Sequence, residues 1–168
     1  MDKVYNVLFL CTGNSARSIM AESLLNREGK GRFKAYSAGS HPTGRVNPDA
    51  VRLLESRDHL TADLRSKSWD EFAAPGAPKM DLIFTVCDNA AGEVCPVWPG
   101  HPTTAHWPFP DPAALEGTDA ERLAFFADVY GQIEKRVAAL CRLPVEVLEG
   151  DDLHARLQAA GADEGVAG

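Results

Sequence analysis

The sequence predicts an α/β fold: a single-domain, doubly wound, four-stranded parallel sheet flanked by helices. Three observations predict it. Short apolar runs of strand character alternate with segments of helical periodicity along the chain. Two of those runs, Val4–Leu10 and Asp81–Val86, are apolar almost throughout, as strands covered on both faces must be. The 168 residues, 45% hydrophobic and 24% charged, also suit one soluble core of ordinary composition.

The elements follow in order. In Val4–Leu10, six of seven residues are apolar or aromatic, which predicts a buried central strand. Ser18 to about Arg27 reads as a helix, with Met20 and Leu24 stacked four residues apart. Phe33–Ser40 reads as a second strand, closed by Gly39 and Pro42. Pro48–Glu55 is a short helix carrying Ala50, Val51 and Leu54, and Arg65–Phe72 is expected to be another, with Ser66 or Ser68 as its cap. Asp81–Val86 is the third strand and Thr103–Trp107 the fourth. From Asp119 to Leu140, the residues Leu123, Phe126, Ala127, Tyr130, Ile133, Val137 and Leu140 keep one helical face. Residues 1–142 are expected to form the domain. Residues 143–168 are read as a C-terminal extension with a short helix near Asp152–Ala160 and a frayed end.

Bulk properties exclude several function classes. A net charge of −7 argues against nucleic acid, which needs a basic face. It also requires any anion site to be local rather than a property of the whole field. No apolar run approaches the roughly 20 residues that span a bilayer. Met1-Asp2-Lys3 leads straight into a strand without a signal-peptide layout, so a cytoplasmic location is expected. Four cysteines in such a chain point to reactivity or metal binding before structural disulfides.

The chemistry concentrates in Cys11-Thr12-Gly13-Asn14-Ser15-Ala16-Arg17-Ser18. An apolar strand ends at a cysteine, small and polar residues follow, and an arginine opens a helix. Small residues let the loop curl until its N–H groups converge. With a helix N-terminus and a planar guanidinium, those groups form a cradle for a tetrahedral oxyanion. The same surroundings favour a thiolate at the cysteine in their midst. Cys-x5-Arg-Ser in this context resembles the signature of the low-molecular-weight tyrosine phosphatase superfamily.

A hydrolase needs one cysteine, yet Cys87 and Cys95 occupy a second stretch rich in Ala, Gly and Pro, and Cys87 ends the third strand as Cys11 ends the first. If the residues between Cys87 and Cys95 were helical, their Cα atoms would lie about 12 Å apart. A disulfide needs about 4.4–6.8 Å. A bond between them therefore requires the segment to bend or unwind, which Gly92 eases. Three thiols have a chemical use. Arsenate copies phosphate in charge and shape, so the same cradle binds it and the same thiolate attacks it. A second thiolate can then supply two electrons, and a third can move the disulfide outward to a reductant. On this reading Cys11 is the nucleophile, Cys87 attacks Cys11, and Cys95 attacks Cys87.

The chain thus resembles the thiol-dependent arsenate reductases of the phosphatase-like class. The likeness extends over the oxyanion loop, Ser37-Ala38-Gly39, Ser66-Lys67-Ser68-Trp69, the paired cysteines and Trp107-Pro108-Phe109-Pro110-Asp111-Pro112. It implies Asp111 as the general acid, Asn14 as keeper of the loop shape, and Ser18 as a hydrogen-bond donor to the Cys11 thiolate. The reductant it implies is thioredoxin or glutathione with glutaredoxin, with no other cofactor, and a monomer is expected. Ala113 and Ala114 replace the aromatic residues that tyrosine phosphatases carry after Asp-Pro. Some relatives of this type hold potassium behind the loop. Asn14, Glu22 and Ser37 match three of its ligands, but Lys67 stands where an aspartate is expected, so its ammonium is expected to replace the cation and no metal is required. Two other readings remain. A low-molecular-weight protein-tyrosine phosphatase would use Cys11, Arg17 and Asp111 alone; a metalloid sensor would use the cysteines as ligands and leave Arg17 and Asp111 without a role. A zinc site at Cys87 and Cys95 has the wrong spacing and lacks a second pair. Cys141 is expected to be a passive buried thiol, the tryptophans to be packing residues, and the five scattered histidines to carry no role.

Overall fold

The computed structural model describes residues 4–86, 102–112, 115–145 and 150–167. Four strands, β1 (Tyr5–Cys11), β2 (Phe33–Gly39), β3 (Leu82–Thr85) and β4 (Thr103–His106), pair in the order β2-β1-β3-β4, and every pair is parallel. The helices among the described residues are α1 (Arg17–Glu28), α2 (Pro48–Ser56), α3 (Asp70–Ala73), α4 (Asp119–Arg142) and α5 (Gly150–Ala167). The expected four-stranded α/β sheet is therefore present, with its order reversing between β1 and β3. Ligands of such sheets bind beyond the carboxyl ends of the strands at that reversal.

Alternation along β1 explains its apolar run. Val7, Phe9 and Cys11 join the larger core, while Leu8 and Leu10 join a second core with Ala38, Phe72, Met80 and Ile83 on the other face. Val7 through Leu10 are at most 1% exposed, and each such side chain contributes about 1.5–3 kcal/mol. Phe9, Phe84 and Trp107 stack beneath the carboxyl edge, with centroids 5.5 Å apart for Phe9–Phe84 and 4.0 Å for Phe84–Trp107. The long helix α4 starts at a reciprocal capping box, Thr118 with Glu121, which satisfies two amide donors.

Two elements depart from expectation. The helix expected over Arg65–Phe72 is only the single turn Asp70–Ala73. Its first residues are extended because they continue the sheet: the Gly39 amide donates to the Lys67 carbonyl and the Trp69 amide to the Gly39 carbonyl, both at 2.9 Å. That pairing delivers Lys67 to the back of the oxyanion loop. The C-terminal helix runs from Gly150 to Ala167, beyond the expected Ala160, and lies along the outer edge of β4. There His154 Nδ1 meets the Thr104 carbonyl at 2.6 Å, the Gln158 side chain accepts from the His106 amide, and the Leu157 carbonyl accepts from the Trp107 indole at 2.8 Å. An edge strand whose outer groups are occupied this way offers no template for another strand.

Candidate active site

β1 ends at Cys11, which is 5% exposed, and the next five residues curl into the N-terminus of α1. The direction of the loop peptides follows from their carbonyls. Thr12 O accepts from the His41 amide (2.9 Å), Gly13 O from the Thr43 amide (3.0 Å) and the Ser66 hydroxyl (3.1 Å), and Ser15 O from the Asn47 amide (2.9 Å). A trans peptide points its N–H opposite to its carbonyl. The amides of Gly13, Asn14 and Ala16 therefore face away from the 41–47 segment. Asn14 turns the loop with φ 47°, a left-handed conformation that makes successive amides converge. Ala16, at the N-cap of α1, makes no side-chain cap to the first-turn amides.

Asn14 is fully buried and fixes this shape from within. Its Nδ2 donates to the Ser18 hydroxyl and its Oδ1 accepts from the Lys67 amide, both at 2.8 Å. Gly39 pairs with Cys11 in the sheet and is needed there for space. A Cβ at this position would lie 2.4 Å from the Thr12 carbonyl oxygen and 2.8 Å from that of Cys11.

Arg17 closes the mouth of the loop. Its Nη1 donates to the Phe109 carbonyl at 3.1 Å, and its Nη2 lies 3.6 Å from Asp111 Oδ2. The Arg17 side chain is 14% exposed and that of Asp111 44%, so the carboxylate reaches over the arginine from the solvent side. The segment from Trp107 to Asp111 is anchored by backbone bonds from the Trp107 amide to Thr85 O and from the Phe109 amide to Val86 O. The structure thus brings together Cys11, Thr12, Gly13, Asn14, Ser15, Ala16, Arg17, Ser18 and Asp111. Cys87 and Cys95 lie outside the described residues.

Behind the loop, Glu22, Ser37 and Lys67 form a buried charged group. Ser37 donates to Glu22 Oε1, and the Lys67 ammonium lies 3.9 Å from the same oxygen while donating to the Arg65 carbonyl at 2.9 Å. Burial raises the Glu22 pKa against the opposing pulls of Ser37 and Lys67, and burial lowers that of Lys67 against the attraction of Glu22. The positive charge is already supplied by Lys67, and Asn14 Oδ1 is engaged by a backbone amide.

A second polar cluster, not marked by any local sequence pattern, lies among α1, the segment after α2, and α4. His59 is 8% exposed, with Nδ1 2.8 Å from the Ser23 hydroxyl and Nε2 2.8 Å from the Tyr130 hydroxyl, to which Arg27 also donates at 3.1 Å. Burial, aided by the Arg27 charge, lowers the His59 pKa. These residues come from α1, the segment after α2, and α4, so no local spacing announces them. His106, the histidine nearest the Asp111 segment, lies 2.7 Å from the Thr85 hydroxyl within the sheet. Trp107 is fully buried and Cys141 half-buried, the latter a thiol whose pKa burial raises.

Residues 6–153 match the family model described as low molecular weight phosphotyrosine protein phosphatase. An arsenate reductase from Halalkalibacterium halodurans is 40% identical over 131 residues, covering 78% of this chain and 91% of that protein. Among solved structures, the arsenate reductase of Archaeoglobus fulgidus superposes with a TM-score of 0.59 at 32% identity, over 79% of this chain and 98% of that one. A thioredoxin-dependent arsenate reductase of Corynebacterium glutamicum gives 0.54 at 25% identity, over 77% of this chain and 58% of that one. No described helix is long and apolar enough to cross a membrane. A cysteine at the end of the central strand, amides converging above it and an arginine at the helix start are the geometry that such a match requires, and the chain belongs to the low molecular weight phosphotyrosine protein phosphatase family.

Proposed function

We propose that this protein is an arsenate reductase that uses Cys11 as nucleophile and passes electrons through Cys87 and Cys95. The observation that carries the reading is the oxyanion cradle of residues 11–18 closed by the Arg17–Asp111 pair, in a chain whose relatives at 32–40% identity are arsenate reductases. Arsenate binds to the loop amides and the Arg17 fork as any tetrahedral oxyanion would. The Cys11 thiolate attacks arsenic, and Asp111 gives a proton to the oxygen that leaves as water. Ser18, accepting from Asn14, keeps its hydroxyl hydrogen for the sulfur. The Cys87 thiolate then attacks Cys11: the sulfur–arsenic bond breaks, its electron pair passes to arsenic as arsenite, and a Cys11–Cys87 disulfide forms. Cys95 attacks Cys87, which frees the Cys11 thiolate and leaves a Cys87–Cys95 disulfide for an external thiol to reduce.

Position supports the second step. The Val86 amide donates to the Leu10 carbonyl at 2.9 Å, so the chain after β3 arrives beside the end of β1, and Cys87 is the next residue. Thioredoxin is the reductant favoured here, since it suits an internal disulfide; glutathione with glutaredoxin is the alternative. Lys67 supplies the charge behind the loop, so catalysis needs no potassium. The chain is read as a cytoplasmic monomer with its domain in residues 1–142 and an extension in 143–168. The competing reading is a protein-tyrosine phosphatase using Cys11, Arg17 and Asp111; Ala113 and Ala114 speak against it, because neither can grip an aromatic ring. Arsenate-dependent NADPH oxidation, measured separately with thioredoxin and glutaredoxin systems, tests the proposal. Steady oxidation with either supports it; aryl phosphate hydrolysis without any arsenate-dependent oxidation rejects it.

A further inference from the structure

Arg136 stands on α4, far in sequence from the oxyanion loop, yet it is 8% exposed. A guanidinium is costly to bury without compensation, so its place in the packing calls for a partner. One partner is an aromatic face: the guanidinium carbon lies 5.4 Å from the centroid of the Phe109 ring, within cation–π range. Phe109 is itself 5% exposed and is held in three ways. Its amide donates to Val86 O at 3.2 Å, its ring faces Arg136, and its carbonyl accepts from Arg17 Nη1 at 3.1 Å. Two residues further on, Asp111 meets Arg17 Nη2 at 3.6 Å. Phe109 is the middle of a chain of contacts that begins at one arginine and ends at another. The ring and the carbonyl belong to one residue, so fixing the ring fixes the oxygen on which the second guanidinium rests.

We infer that Arg136 is a positioning residue for the oxyanion pocket, setting Arg17 and Asp111 through Phe109. The inference rests on the reading that this pocket binds a tetrahedral oxyanion. Without the cation over its ring, Phe109 loses one of its three holds and Arg17 spends less time with its fork turned to the anion. Affinity for the anion then falls although no residue that touches it has changed.

The test is calorimetric titration of the reduced protein with arsenate and, separately, inorganic phosphate. Arg136→Met should weaken both by about tenfold, within the range of a largely desolvated cation–π contact. Arg136→Lys, which keeps a cation over the ring, should restore most of the affinity. Phe109→Leu should reproduce the loss with Arg136 intact. In an Arg17→Lys background, Arg136→Met should change affinity less than twofold, whereas a residue that merely supports the fold would subtract as much again. Should Arg136→Met fail to fold, Phe109→Leu and Arg136→Lys carry the test. Anion affinity within twofold of wild type in Arg136→Met or Phe109→Leu overturns the inference. Absence of anion binding by the wild-type protein overturns instead the reading of the pocket on which it rests.

Discussion

Replacing Lys67 by methionine removes the only cation paired with Glu22 among the described contacts while keeping the length of the stem. The ammonium is 3.9 Å from Glu22 Oε1, and the two side chains are 8% and 16% exposed. At that separation and an effective dielectric near 20, the attraction is about 4 kcal/mol. Breaking a buried pair by removing one member leaves a charge without compensation and costs about 3–5 kcal/mol. For a chain of this size each kcal/mol moves the melting temperature by about 2–4 °C, so a shift of about 6–20 °C is expected. The deficit should depend on pH in a definite sense. Burial already raises the Glu22 pKa, and loss of Lys67 raises it further. A carboxyl group whose folded pKa is raised contributes stability below its unfolded value and loses it as pH rises through the folded value. Thermal melts of Lys67→Met should therefore lie near wild type at pH 5 and fall progressively further below it toward pH 8. A variant as stable as wild type at pH 8 would refute the pairing, and a severalfold gain in wild-type turnover on exchanging sodium for potassium would refute the replacement of the cation by Lys67.

Three further outcomes follow from contacts already described. The buried His59 has a lowered pKa, so its stabilising share is complete above its unfolded value near 6.5 and is lost as pH falls through the folded value; melts between pH 7.5 and 5 should drop more steeply for wild type than for His59→Gln. Gly39→Ala drives a methyl group against the Thr12 and Cys11 carbonyls, so it should cost about 1–3 kcal/mol by denaturant titration and weaken arsenate binding, whereas a neutral effect would contradict the loop geometry. Asp111→Asn should lower kcat about 10²–10⁴-fold with little change in arsenate affinity, as removal of a general acid does; a loss confined to affinity would assign Asp111 to binding instead.

The parts of the fold that rest on local pattern were legible. A nearly continuous apolar run marks β1 because both of its faces are covered, and the repeat from Leu123 to Leu140 marks α4 because one side of that helix packs on the core. Cys11, Arg17 and Asp111 were legible for a different reason: a strand end, a loop of small residues, a helix start and an Asp-Pro step each leave a spacing in the sequence. Residues 65–68 did not read correctly because their non-helical shape comes from pairing with Gly39, a contact far away in the chain. The Ser23–His59–Tyr130 cluster and the Arg136–Phe109 contact are invisible for the same reason, since each is made by tertiary packing of separate elements. Lys67 lies between. Its departure from the aspartate that the family resemblance implies is visible in the sequence, but its buried contact with Glu22 is a fact of the fold.

The sequential passage of electrons from sulfur to sulfur is tested most directly by Cys87→Ser in a single turnover, with arsenite counted per protein molecule. The account predicts that the variant binds arsenate and loses the Cys11 thiol to an adduct, yet releases no arsenite with thioredoxin or glutaredoxin present. Sustained arsenite production by Cys87→Ser at the wild-type rate would contradict it.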